Sequence, residues 1–373
     1  MRARAACILQ RLIPALAGMK TLVIPPNAYP LVLLGLCGLS YGLLIPRLGF
    51  YWDDWVFVWI AEKLGDAGLE RYFSTNRPYW GLIYRLTTTL MNTSVPWHWQ
   101  VFGLAWRWLS AVALWLLLRR TWQRQPEAAA WASALFVVYP AFSAQAIAIN
   151  YGHFFIVLTA FLLSCSLSLR SLAQPGRAWL YTPLALLLAG VNLLAMEYFF
   201  LLELLRPLLM WISLADSAPA NRLRARKTLR AWLPYLVLFL AVSIWRAFFF
   251  PHQTRNYDLT LVETLRDQPL AALFQLAGTI SNDLWLTAVE AWLYAFRLPN
   301  PAELGARTTL MYGMLVGVAA AFVGLALALL RRQDAPSSQR KTGWQMAAVG
   351  AAGLLIAGWP IWLVNLPLAF GFP

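Results

Sequence analysis

Charge is scarce in this 373-residue chain: only 12% of its residues are Asp, Glu, Lys or Arg, while 60% are hydrophobic. A soluble domain carries about 25% charged residues because its surface must meet water. With 20 Trp, 20 Phe and a mean hydropathy of +0.57, the shortage excludes a soluble globular fold and leaves an all-α polytopic membrane protein. Cysteine is scarcer still. Cys7, Cys37 and Cys165 give neither a disulfide framework nor a zinc spacing. No cleavable leader is expected either. Arg11 interrupts the apolar part of the first 20 residues, and no small-residue cleavage pattern follows. Residues 1–28 therefore read as a basic cytoplasmic segment lying at the interface and kept on the mature protein, and 29–373 as a single transmembrane domain.

What charge there is falls in a pattern. A charge at the bilayer centre costs roughly 2.5–3.5 kcal/mol on insertion scales, so charges collect in loops and mark span ends. Nine spans are predicted, at about 29–46, 97–118, 127–146, 152–169, 178–196, 199–214, 231–250, 309–330 and 344–367. With the N-terminus cytoplasmic, the cytoplasmic segments hold 18 basic residues against Glu127, Asp216 and Asp334, whereas all the rest carries 12 basic and 13 acidic residues. The formal +14 is thus a positive-inside signal dispersed over short loops. That sets nucleic-acid binding aside, since it would need one continuous basic footprint. The cluster Arg222–Arg230 reads as a topology anchor, with contact to anionic lipid headgroups as the other possibility.

Two outer-face segments are long, 47–96 and 251–308. The first opens with GFYWDDWVFVWIAEKLG, which sets Asp53 and Asp54 between Trp52 and Trp55 in an aromatic interfacial belt. It continues with YFSTNRPYWGLIYRLTTTLM, where Tyr79, Leu82, Ile83, Leu86 and Leu90 keep helical spacing over a stretch too short to span. An amphipathic helix on the membrane surface is expected there. The second carries HQTRNYDLTLVETLRDQ and SNDLWLTAVEAWLYAFRLPNPAEL, also amphipathic.

This arrangement, with an N-in first span, a carboxylate pair just past its outer end, a long first outer loop with amphipathic helices and many further spans, resembles the GT-C class of membrane glycosyltransferases. That class includes protein O-mannosyltransferases, aminoarabinose transferases and oligosaccharyltransferases. The likeness is detailed over about residues 29–120 and architectural beyond. It implies transfer of a sugar from a polyprenyl-phosphate donor to an acceptor, which the sequence leaves open as glycan, lipid or protein, at the outer face, with inversion at the anomeric carbon.

By that resemblance Asp53 is the catalytic carboxylate, and Asp54 orients the acceptor, an arginine or a metal. Residues adjacent on a helix diverge by about 100°, so the two serve different roles. The leaving phosphate calls for guanidinium. Candidates are Arg71 and Arg77 in the first segment, with Arg85 behind them, and Arg255 and Arg297 in the second; each has snorkelling, or pairing with Glu62 or Glu70, as its plain alternative. No cofactor is expected; some members of the class need a divalent cation, but no further acid converges here.

His153 in NYGHFF reads as a packed histidine or a cavity residue, and Glu197 as a group able to reach the Asp53 cavity. Glu203 and Arg206, at i and i+3, read as an ion pair inside the bundle, and Arg85 and Arg107 as cation–π partners of neighbouring aromatics. A lipid or solute transporter is the alternative reading, though no repeated pair of broken helices supports it; a non-catalytic scaffold is the third. The ending WPIWLVNLPLAFGFP, apolar and without a basic stop, is expected to belong to a frame that continues.

Overall fold

A computed structural model describes residues 26–215, 217–251, 260–294, 301–330, 339–364 and 368. Residues 1–25, Arg255, Arg297, residues 331–338 and most of the terminal apolar stretch lie outside them. Among the described residues the chain is helical, with no strand. Six helices are long and apolar enough to cross a membrane: Tyr29–Arg47, Pro96–Thr121, Ala148–Ala173, Pro175–Ala195, Asn221–Phe249 and Thr342–Trp362. The protein is thus an integral membrane protein by the length and composition of its helices.

In chain order, α1 (Tyr29–Cys37) runs into a π-type turn, Gly38–Gly42, and a 3-10 turn, Ile45–Arg47. Then come three short helices, α2 (Asp53–Leu64), α3 (Asp66–Phe73) and α4 (Pro78–Leu90). The long α5 (Pro96–Thr121) is followed by α6 (Pro126–Val137), α7 (Ala148–Ala173) and α8 (Ala178–Ala195). A 3-10 stretch, Phe200–Leu205, leads into α9 (Arg206–Ser213), and α10 (Asn221–Ile244) ends in a π-type turn, Trp245–Phe249. Beyond it are α11 (Thr260–Asp267), α12 (Pro269–Trp285), α13 (Ala291–Tyr294), α14 (Pro301–Leu304), α15 (Ala306–Leu330) and α16 (Gln339–Trp362).

The centre of the bundle is the crossing of α5 and α7. A side chain at Gly152 would meet the Phe102 ring at 2.8 Å, and one at Gly103 would meet the Ala148 carbonyl at 3.2 Å. Glycine at both positions lets the two backbones close up, the device by which helices pack where no hydrophobic effect drives them together. Hydroxyls add to the packing: Ser110 on α5 lies 2.8 Å from Thr159 on α7, and Ser164 on α7 donates to the Ala185 carbonyl on α8 at 2.5 Å. The face of α10 carrying Leu229, Leu233, Val237, Leu240 and Ile244 is exposed, the composition a lipid-facing surface requires.

Two predicted spans are interrupted. The stretch expected as 127–146 is α-helical only to Val137, with a 3-10 turn at Ala144–Ala146, and α6 has 12 residues, about 18 Å of rise. Pro140 lies just beyond and disfavours helix at Tyr139, and the freed Val137 carbonyl accepts from the Arg107 guanidinium at 2.7 and 3.2 Å. The stretch expected as 199–214 is a 3-10 segment plus α9, because Pro207 in the first turn of α9 opens a helix more readily than it continues one.

The predicted amphipathic helix is α4, with Trp80, Tyr84, Thr87 and Thr88 buried and Tyr79, Leu82, Leu86 and Leu90 exposed. Most of its predicted stripe therefore points away from the protein, as it does in a helix lying in a membrane interface, while Ile83 is partly buried against the aromatic core. The aromatic face packs with Phe57, Leu69, Phe73, Trp99 and Ile149 into a core of its own.

Candidate functional site

Four long helices present one end each to the α2–α4 segment: the start of α5, the start of α7, the end of α8 and the end of the α10 span. Gln100 on α5 fixes two of the connections at once. It is 2% exposed, and its amide donates to the Gly49 carbonyl at 2.9 Å and to the Ala146 carbonyl at 2.7 Å. The chain just before the aspartate pair and the turn just before α7 are thereby pinned to one point.

Trp52 precedes α2 with φ 51° and ψ −124°, a backbone region left largely to glycine and held only where surrounding structure enforces it. From that turn the two aspartates diverge as their spacing requires: Asp53 is exposed and Asp54 fully buried. The Asp54 carboxylate accepts the Ile149 N–H at 3.2 Å and the Asn150 N–H at 3.0 Å. These are among the first N–H groups of α7, which lack partners within their own helix. Ile147 at the N-cap position has no polar side chain, so Asp54 supplies the cap from 95 residues upstream. Burial pushes the Asp54 carboxyl up to about 7, against the lowering effect of the Asn150, Ile149 and Ala148 N–H groups, with the Asp53 charge adding to the rise.

Asn150 is the hub of the site. Its side-chain amide donates to the exposed Asp53 carboxylate at 3.0 Å, and its own oxygen accepts from the Tyr84 hydroxyl at 3.2 Å. Asp54 therefore fixes the backbone of the residue whose side chain orients Asp53. Burial raises the Tyr84 hydroxyl well above its usual value, and the charges of Asp54, Asp53 and Arg77 all reach it.

Tyr84 stacks on His153, with centroids 3.8 Å apart and planes 4° from parallel. His153 is fully buried, its Nδ1 2.6 Å from the Ile149 carbonyl and its Nε2 2.7 Å from the Thr87 hydroxyl. A carbonyl only accepts, so Nδ1 carries the proton and Nε2 accepts from Thr87. Both ring nitrogens are thus engaged, and the histidine props Tyr84.

One helix turn from the aromatic core, Arg77 precedes α4 and Glu197 follows α8. The Arg77 Nε donates to both Glu197 oxygens at 3.0 and 3.1 Å, and its Nη2 closes the pair. Arg246, from the turn ending the α10 span, reaches Glu197 at 3.5 Å. Two guanidiniums thus flank one carboxylate. Burial pushes the Glu197 carboxyl up, but hydrogen bonding to Arg77 and its charge outweigh this and hold it below the usual carboxylate value.

The other sequence candidates lie elsewhere. Arg71 is exposed on α3, where its carbonyl accepts from Ser74, and Arg255 and Arg297 are outside the described residues. Glu62 accepts from Ser94 at 3.1 Å. Arg85 pairs with Glu70 at 2.5 Å and stacks over no ring among the described residues, which corrects its cation–π assignment: the exposed face of α4 puts it beside an acid on α3. Glu203 and Arg206 form the expected buried ion pair, at 2.7 Å.

Asn150, Tyr84 and Arg246 were not singled out from the sequence. An asparagine in the first turn of an apolar span is a readable signal, because an amide there needs a partner. The pairing of Arg77 with Glu197 across 120 residues had no local signature. Compared with known proteins, the chain matches no family model and no curated protein.

Proposed function

We propose that this protein is a GT-C-type inverting glycosyltransferase that moves a sugar from a polyprenyl-phosphate donor to a glycan, lipid or protein acceptor at the outer face of a bacterial plasma membrane. The observation that carries the reading is the Asp53 carboxylate. It is exposed, aimed by Asn150 and anchored through Asp54 at the converging span ends, on the same side as the two guanidiniums that flank Glu197. In this reading Asp53 accepts the proton of the acceptor's hydroxyl or amide as its heteroatom bonds to the anomeric carbon. The bond from that carbon to the phosphate oxygen breaks on the opposite face, and the electron pair leaves on the phosphate. Arg77 and Arg246 meet the charge that develops there.

The N-terminus is cytoplasmic in this account. The basic residues Arg119, Arg120, Arg124, Arg170 and Arg177 sit at the ends of α5, α7 and the α7–α8 turn opposite those that meet the aspartates, as the positive-inside rule asks. Nine crossings result when α15, the α6 segment and the 200–213 segment are counted beside the six long apolar helices.

The test is turnover by the purified protein in lipid vesicles supplied with a labelled polyprenyl-phosphate sugar and an envelope extract as acceptor. Label leaving the carrier for a new product supports the reading. Label that crosses the bilayer still joined to its carrier identifies a transporter and overturns it.

A further inference from the structure

A second polar feature lies deeper in the bundle and is separate from the aspartate site. Arg107, at the middle of α5 and 1% exposed, sits about 16 Å along that helix from its start. Its hydrogen-bond partners are all neutral: the Val137 carbonyl at 3.2 and 2.7 Å, the Tyr41 hydroxyl at 2.8 Å and the Gln145 side-chain oxygen at 3.1 Å. The rings of Tyr41, Phe142 and Phe155 lie 4.2, 4.7 and 5.6 Å from its guanidinium carbon. Among the described residues no carboxylate pairs with it. The end of α6 offers about half a negative charge at most, so a buried cation keeps a net positive charge inside a membrane bundle, where ions are ordinarily paired.

That guanidinium lines a pocket of ≈ 260 Å³ walled by Leu135, Phe136, Tyr139, Phe142, Phe155 and Trp292. The four bonds above use four of its five N–H donors, which leaves one on Nη1. Leu135, 44% exposed, and the half-buried Tyr139 and Trp292 form a rim on the flank of the bundle, where lipid lies. The last turn of the short α6 forms one wall. At about 18 Å it falls well short of the ~30 Å hydrocarbon core, a mismatch that bilayers meet in general by local thinning, which brings headgroups closer to a short span. The π-type turn Gly38–Gly42, a departure from α geometry frequent at functional positions, is what delivers Tyr41 to Arg107.

We propose that this pocket binds the phosphate of an anionic bilayer phospholipid from the leaflet on the Asp53 side, with the phosphate against Arg107 and the upper acyl chain along the aromatic wall. A phosphodiester stays ionised, so it supplies the missing anion as a lasting ion pair. A zwitterionic lipid brings an ammonium group for which the wall has no carboxylate. A sugar-bearing lipid brings several hydroxyls that find only Arg107, the Trp292 indole N–H and Tyr139, whose hydroxyl already donates to the Thr287 carbonyl at 2.8 Å. An occupied pocket braces the turn 138–147, whose Phe142 packs on Tyr151 at 5.4 Å, next to Asn150. The inference does not depend on glycosyl transfer.

Native mass spectrometry of the purified full chain, titrated with phosphatidylglycerol or phosphatidylcholine of identical acyl chains, reads the site directly, together with the thermal midpoint. One phosphatidylglycerol is expected to be retained at least about tenfold more tightly than phosphatidylcholine, as one charge-assisted contact supplies, and to raise the midpoint. Arg107→Gln should erase the preference. Because Arg107 also closes the end of α6, Leu135→Trp provides a second test: it blocks the rim while leaving every Arg107 bond in place, and should abolish tight retention without lowering the lipid-free midpoint. Equal retention of the two lipids, retention only of a polyprenyl phosphate, or undiminished phosphatidylglycerol binding by Leu135→Trp would each overturn the proposal.

Discussion

Removing the Asp54 carboxylate tests whether a structural lock underlies the exposed aspartate. Asp54→Ala leaves the Ile149 and Asn150 N–H groups, now bonded at 3.2 and 3.0 Å, buried and without their acceptor. An unsatisfied buried donor costs about 1–3 kcal/mol, so with two of them the docking of α2 on α7 should weaken by about 2–6 kcal/mol. Asp54→Asn keeps one acceptor oxygen and should weaken it by about 1–2 kcal/mol.

The pH dependence has a definite sign. The carboxyl is raised from 3.8 to about 7 in the folded protein, so between those values the native state holds a proton that the unfolded chain has lost. Stability from this group is therefore fully present below about pH 4 and declines as pH rises, until it is lost above about 7. The total is on the order of 4 kcal/mol at 1.36 kcal/mol per unit. Hydrogen exchange at residues 148–152, followed from pH 4.5 to 8 in nanodiscs, reads both effects. Protection should fall as pH rises in the parent, be pH-independent in Asp54→Asn, and be lost first at Ile149 and Asn150 in Asp54→Ala. Parent-like protection of those two amides in Asp54→Ala, or an unchanged pH slope in Asp54→Asn, would refute the reasoning.

Three further outcomes are expected. An impermeant thiol label should reach a cysteine placed at position 66 from outside the cell and fail to reach one at 124 or 225; a cytoplasmic 66 would remove the outer-face site altogether. Arg206→Met alone leaves Glu203, 2% exposed, as an unpaired buried charge and should cost about 3–5 kcal/mol, whereas Arg206→Met with Glu203→Leu should recover most of that loss in a thermal melt. Arg77→Ala should weaken retention of a polyprenyl-phosphate sugar in a binding assay while leaving exchange at Asn150 as it was, because Arg77 acts through charge at Glu197 and not through the Asp54 cap; loss of Asn150 protection in this variant would show that the two clusters are one.

What was legible in the sequence follows a physical rule. Membrane helices are written locally, in runs of apolar residues ended by charge, so the Tyr29–Arg47 span, α5, α7 and α8 were found within a few residues, and so was the end of the α10 span, whose helix starts well before the predicted 231, at Asn221. The divergence of Asp53 and Asp54 was legible too, since it follows from helical geometry alone. The break after Val137 was not. One proline marks it, but the helix end is stabilised by a guanidinium 30 residues upstream, and a hydropathy window sees only continued apolarity. The amphipathic stripe of α4 was found, yet which face met the protein could not be read. In a membrane protein the aliphatic stripe turns to lipid and the aromatic and hydroxyl face turns inward, the reverse of a soluble helix. The site was half legible. A carboxylate pair beside a span end stands out as costly, whereas Asn150, Arg246 and the Arg77–Glu197 pair become a cluster only when four span ends converge.

The central claim is that Asp53 acts as a carboxylate and not merely as an interfacial polar residue. Asp53→Asn keeps its shape and its contact with Asn150 but removes the charge. The direct measurement is the rate at which purified, reconstituted Asp53→Asn transfers sugar from a polyprenyl-phosphate donor, beside the unmodified protein at equal insertion. The account predicts a fall of about 10²–10⁴-fold with donor retention unchanged; transfer at the unmodified rate would contradict it.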